Sequence, residues 1–201
     1  FHTDAVQGFF KVPFRASTLG ADAISVSGHK IHASKGVGAL YLRPGLNLPP
    51  LIYGGGQESK LRSGTEMLPL IAGFAAACEA KLPTRQHDIA EQNRLAALCR
   101  ELVTEIDGVT LLGAQEAPHI VNLAVRGLRS QGLINALQDR DVYVSAGSAC
   151  SKGHRSHVLE AMGAAPELID GSIRVSLSDE TTEDDIRAFA SALEEAIAAL
   201  R

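Results

Sequence analysis

The sequence predicts an α/β fold in two parts, and three observations carry that prediction. Short apolar runs bounded by Gly and Pro alternate with stretches of helical period, as strands and helices do when they follow one another. An alanine-rich apolar stretch over residues 68–80 ends at Pro83-Thr84, and the pattern then restarts, so a boundary is expected near residue 85. With 201 residues, 45% hydrophobic content and mean hydropathy +0.05, the chain has the apolar side chains that a core requires.

The first part, residues 1–85, carries strand-like runs around Ala5-Val6, over 23–26 and over 37–42, with Gly and Pro between them. Gly54-Gly-Gly opens a loop that runs to Thr65. Residues 68–80 are apolar almost throughout, the composition of a buried helix. The second part, 86–201, opens on an amphipathic helix over roughly 84–105, where Ile89, Leu95, Leu98, Leu102 and Val103 recur at helical spacing. Strands are expected over 109–112, 119–125, 142–145 and 172–177, and helices over 130–139, 158–162 and 182–200. A loop of small residues, 146–153, follows the third of those strands. Thr181 or Thr182 caps the last helix, acidic residues fill its first turn and Arg201 ends it, all in the sense the helix dipole favours.

A net charge of −4 and a pI near 6.0 give no reason to expect nucleic acid or an anionic membrane as partner. No apolar stretch has membrane-spanning length, and no signal peptide opens the chain. Cys78, Cys99 and Cys150 are an odd, widely spaced set, which fits free thiols in a reducing cytoplasm better than a disulfide framework. The first residue is Phe1, and His2-Thr-Asp4 reads as the middle of a protein, so the chain is expected to be a fragment or a processed piece.

Four separated elements carry chemistry. In Ser25-Val-Ser-Gly-His-Lys30 an apolar run ends in a turn that presents His29 and Lys30 at a sheet edge, where a lysine amine partly shielded from water serves as a Schiff-base nucleophile. Asp4, at a predicted strand end, can pair with a protonated ring nitrogen, Gln7 can donate to a ring oxygen, and Ser27 and His29 can bind phosphate oxygens. Gly54 through Thr65, with Arg62 and the Thr65 hydroxyl ahead of a helix, forms a candidate anion site, although the P-loop spacing is absent. In Val144-Ser-Ala-Gly-Ser-Ala-Cys-Ser-Lys-Gly153, small residues surround Cys150, and Lys152, His154 and Arg155 make its neighbourhood positive, which favours a reactive thiolate. Cys78 and Cys99 lie on apolar helix patterns and read as small core residues. Arg174 lies within an apolar strand and either holds an anion, such as a substrate carboxylate, or points to water from an edge.

Taken together these elements resemble the cysteine desulfurases of the class V aminotransferase family. The matching stretches are His2-Thr-Asp-Ala-Val-Gln7, Ser25 to Lys30 followed by Lys35-Gly-Val-Gly-Ala-Leu-Tyr41, Gly54 to Thr65, Pro118-His-Ile-Val-Asn122, Ser145 to Ser151 and Ile173 to Leu177. The resemblance implies the second half of a fold type I large domain that binds pyridoxal 5′-phosphate (PLP), over 1–85, and a small C-terminal domain over 86–201. It implies that Lys30 carries the cofactor, that Asp4 and Gln7 hold its ring, and that Ser27 and His29 hold its phosphate. Thr65 would reach the phosphate of a neighbouring subunit, hence a homodimer. Arg174 would bind the carboxylate of L-cysteine, and Cys150 would take the sulfur as a persulfide for a sulfur acceptor or iron–sulfur scaffold protein. Ala33-Ser34 and Ser178 depart from the family's usual Gly-Pro and Gly. Alternatives are a selenocysteine lyase or other class V PLP enzyme, a zinc module on Cys150, His154 and His157, and a non-catalytic fragment that needs its N-terminal half.

Overall fold

The computed structural model describes residues 1–146 and 155–201, and these divide into two compact units, Phe1–Gln86 and His87–Arg201. In the first, β1 (His2–Asp4) leads through α1 (Ala16–Leu19) to β2 (Ala23–Ser27) and then β3 (Gly38–Leu42). The sheet order is β1-β2-β3, with β1 parallel and β3 antiparallel to β2. Ala5-Val6 thus follow the first strand instead of forming it. Alternation decides what each face carries. Ile24 and Val26 turn toward Ala5, Phe14, Ala16 and Ala21 in a small apolar cluster. His2, Asp4, Ser25 and Ser27 share the opposite face. Gly38 admits β3 to the sheet, since a Cβ there would lie 2.5 Å from the Val26 carbonyl oxygen.

The apolar stretch forms α2 (Leu68–Lys81), yet none of its residues is buried. Leu68 is 68% and Ile71 40% exposed, so the expected buried helix is a helix whose sides lack cover within the described residues.

The second unit takes up α3 (Arg85–Thr104), followed by β4 (Val109–Leu111), β5 (Ile120–Val125) and α4 (Ser130–Gln138). Beyond residue 154 come α5 (His157–Ala161), α6 (Pro166–Asp170), β6 (Ser172–Ser176) and α7 (Glu183–Leu200). The sheet is antiparallel in order β4-β5-β6. Val121, Leu123, Val125, Ile173 and Val175 face one layer of helices and meet Leu95, Cys99, Leu133, Leu137, Phe189 and Leu193. Leu112, Ala124, Leu159 and Ile169 form a smaller cluster on the other face. Thr182 is the cap of α7: its hydroxyl accepts from the Asp185 N–H and its own N–H donates to the Asp185 carboxylate, a reciprocal box. Residues 142–145 do not make the expected strand. Val142 and Val144 pack on the core and Tyr143 stands exposed, but among the described residues only Ser145 of this stretch pairs with a neighbour, Arg174.

Candidate functional site

Parallel pairing puts the carboxyl ends of β1 and β2 at the same edge, where α/β proteins place ligands. Asp4 ends β1, in register with Ser25, and Ser27 ends β2. The chain then tightens into a single 3₁₀ turn, Gly28–Ile31. A Cβ at Gly28 would meet the side chains of Val37, Ala33 and Phe74 at 3.0–3.3 Å, so a larger residue in this turn would require those side chains to shift. Ile31 is fully buried and pins the far end of the turn, while Lys30 beside it is half-buried. Ala33, where the family usually has glycine, packs against Gly28.

Ser27 Oγ lies 2.8 Å from His29 Nδ1, which fixes the ring at one nitrogen. With Lys35, Gly36, Val37 and Gly38 these two residues line an open hollow of about 460 Å³. Asp4 is exposed, and its Oδ1 accepts from the Val6 N–H at 2.9 Å. Gln7, exposed in the turn after β1, has no side-chain hydrogen bond among the described residues. Thus Asp4, Ser27, His29 and Lys30 gather at one sheet edge. Thr65 is exposed after Gly64, whose φ is +125°, and does not line that hollow. Arg62 donates at 2.7 Å to the Ser63 carbonyl, and Gly54, Gly55 and Gly56 line a separate hollow of about 770 Å³ with Lys60 and Ser63.

In the second unit Arg174 lies on β6, in register with Asn122 of β5. It is half-buried, and its Nε is shielded from solvent with no hydrogen-bond partner among the described residues. A guanidinium nitrogen left in that state is suited to an anion. Cys150, with Lys152 and His154, lies outside the described residues. The chain leaves for that stretch from Ser145, bonded to the Arg174 backbone, and returns at Arg155, whose guanidinium grips Asp170 at 2.7 and 2.6 Å. The Arg155 charge is therefore engaged and holds the Asp170 carboxyl below the usual carboxylate range. Ser178, where the family usually has glycine, accepts from the Glu180 N–H ahead of α7.

The other two cysteines differ. Cys99 is fully buried and its thiol is pushed up to about 11 by burial; Cys78 is half-buried and raised for the same reason. Among the described residues no three His, Cys, Asp or Glu side chains cluster as a metal site, and no helix is long and apolar enough to cross a membrane.

The model of the aminotransferase class-V family matches residues 1–189. The chain belongs to that family. A cysteine desulfurase of a Nostoc species is 38% identical over the whole of this chain, which covers 52% of the relative. The cysteine desulfurase IscS of Methanosarcina thermophila is also 38% identical, with 51% covered. Among solved structures, a NifS-like protein from Rickettsia africae aligns over 98% of this chain and 53% of its own, at TM-score 0.87 and 32% identity. The fold is therefore that of the fold type I class V proteins, and the chain spans about half the length of the relatives it matches. Three features of the site were not legible in the sequence: Lys35 on the hollow, the Asn122–Arg174 register and the Arg155–Asp170 pair. Lys35 stood in a matching stretch, but nothing in the spacing aims a side chain. Register and ion pairs across 15 or more residues follow from tertiary packing alone.

Proposed function

We propose that this chain is the lysine-bearing part of a PLP-dependent cysteine desulfurase, which takes sulfur from L-cysteine, releases L-alanine and passes the sulfur on through Cys150. The observation that carries this reading is the edge at which Asp4, Ser27, His29 and Lys30 meet. Its donors suit PLP: a carboxylate for the ring nitrogen, an amine for the aldehyde, and a hydroxyl and an imidazole beside an open hollow for the phosphate. When bound, the cofactor supplies an electron sink for carbanion chemistry. Lys30 would attach it and then, as a free amine, move the substrate α-proton. Asp4 would keep the ring nitrogen protonated, and Gln7 would donate to the ring oxygen. Arg174 would take the substrate carboxylate, and the Cys150 thiolate would attack the substrate sulfur and hold it as a persulfide. Thr65 would serve the cofactor of a second subunit, hence a homodimer.

The exposed apolar sides of α2 favour work with a companion N-terminal half, and the free thiols of Cys78 and Cys99 favour a reducing compartment such as the cytoplasm. The persulfide would go to a sulfur acceptor or an iron–sulfur scaffold protein.

Borohydride reduction of the purified protein followed by mass spectrometry tests this. A pyridoxyl-phosphate adduct on Lys30, with alanine formed from L-cysteine and a persulfide on Cys150, is the expected result. An unmodified Lys30 in protein supplied with PLP and its companion half would overturn it.

A further inference from the structure

The pairing around Arg174 has a consequence for substrate selection. Arg174 spends both backbone groups on Ser145: its N–H donates to the Ser145 carbonyl, and the Ser145 N–H donates to the Arg174 carbonyl at 3.2 Å. Its pairing with Asn122 on the other side is therefore of the non-hydrogen-bonded kind, in which Cα atoms approach to about 4.5 Å and side chains are closest. The flanking bonds agree: Leu177 N–H donates to the His119 carbonyl, three positions along the ladder, and the Asn122 carbonyl accepts from Leu112 on the far side.

Residues directly opposite in a ladder share a face. Asn122, Arg174 and Ser145 therefore stand in a row on the face turned away from the main core, whose own residues are Val121, Ile173 and Val175. Leu112 closes the row at its apolar end, packed in the cluster with Ala124. The result is a carboxamide, a guanidinium and a hydroxyl side by side. Neither the Asn122 carboxamide nor the Ser145 hydroxyl has a hydrogen bond among the described residues, and Arg174 Nε is shielded and unpartnered there.

We propose that Asn122 and Ser145 are positioning residues that complete an α-carboxylate cradle around Arg174. This deepens, and rests on, the reading of Arg174 as the group that takes the substrate carboxylate. A carboxylate offers about four acceptor sites, and a guanidinium fork fills two. The carboxamide N–H₂ and the hydroxyl on either side supply donors for the rest and fix the angle at which the amino acid enters. The cradle would select α-amino acids over amines that lack the carboxylate.

The test uses the protein in its complete assembly, with Asn122→Ala, Asn122→Asp and Ser145→Ala variants. Two readouts are taken: KM and kcat for L-cysteine, and the thermal shift given by L-alanine against ethylamine, its decarboxylated counterpart. Asn122→Ala is expected to raise KM roughly ten-fold with kcat nearly unchanged, the loss of one hydrogen bond to a charged group. Asn122→Asp sets a carboxylate against Arg174 and is expected to remove the alanine shift altogether, while its own midpoint without ligand stays near wild type. Ser145→Ala should give a smaller KM rise than Asn122→Ala. Unchanged KM and an unchanged alanine shift in all three variants would overturn the cradle and leave the desulfurase reading intact. No alanine shift in the wild type would overturn the cradle as well. A wild type that binds alanine through the cradle but does not turn over L-cysteine would instead sink the desulfurase reading.

Discussion

Among the described residues the two units carry sheets of equal size, three strands each, but they solve burial differently. In the second unit one entire sheet face is covered by α3, α4 and α7, and the side chains between them are shielded almost completely. In the first the buried cluster is Ala5, Ala21 and Ile24 with a few neighbours, and Leu51, Tyr53, Met67 and Leu68 stand more than half exposed. Apolar area removed from water is the main stabilising contribution, so the second unit holds most of this chain's own stability. The first holds the lysine turn. The lysine turn and most of the buried core thus lie on different halves of the chain, and the half with the turn leaves its apolar helix α2 without a buried residue.

Lys30→Ala is the strongest way to test that separation. It removes the amine that the proposed reaction needs, so desulfurase activity of the assembled protein should fall by on the order of 10³-fold or more. Because Lys30 lies at a turn outside the main core, the thermal midpoint of the second unit should be unchanged. A calorimetric scan beside the activity assay checks both. A large drop in midpoint would show that the lysine turn is structural.

Leu193→Ala should do the converse. Leu193 is fully buried on α7 amid the main core, and truncation of such a leucine costs about 2–5 kcal/mol. Urea titration should show that loss, whereas Ile71→Ala on exposed α2 should cost far less in this chain alone. If Ile71→Ala becomes costly once an N-terminal half is supplied, the missing cover of the first unit is identified.

Thr182→Ala is a milder probe of the well-covered unit. It removes the hydroxyl that accepts from Asp185 and half of the capping box, worth about 1 kcal/mol. Thr182→Ser keeps the acceptor and should retain most of the stability, so the urea midpoints of the pair isolate the cap from the side chain's bulk.

The second unit was also the more legible in sequence, for the same physical reason. Leu95, Leu133, Ile134 and Leu137 recur at helical spacing because their own helices cover the sheet, so periodicity and burial agree. In the first unit α2 has apolar residues on every side, and sequence reads that as burial whether or not the covering layer belongs to the same chain. Strand 142–145 failed because pairing is a tertiary property: Val142 and Val144 pack on the core and Tyr143 is exposed, but among the described residues only Ser145 of this stretch reaches a strand partner. The lysine turn was legible from Gly28 and the apolar run before it. The polar row Asn122–Arg174–Ser145 was not, since no spacing along the chain encodes which residues stand opposite.

The two described cysteines compare the units directly, and they carry the smallest effect. Burial holds the Cys99 thiol at about 11, against an unfolded value near 8.5, so the folded state keeps its proton where the unfolded state has lost it. Stability from this group is fully present below about pH 8.5 and is lost as pH rises from there toward 11. At pH 9 the loss should be under about 1 kcal/mol, visible as a lower urea midpoint than at pH 7. Cys99→Ala should lack that part of the alkaline slope; an equal slope in both proteins would assign it elsewhere. Cys78, half-buried on α2, is raised by the same cause but is reachable from solvent. Iodoacetamide at pH 9 should therefore label Cys78 in the native protein and Cys99 only through unfolding. Adding an N-terminal half should slow Cys78 alone, because Cys99 is already sealed by its own unit.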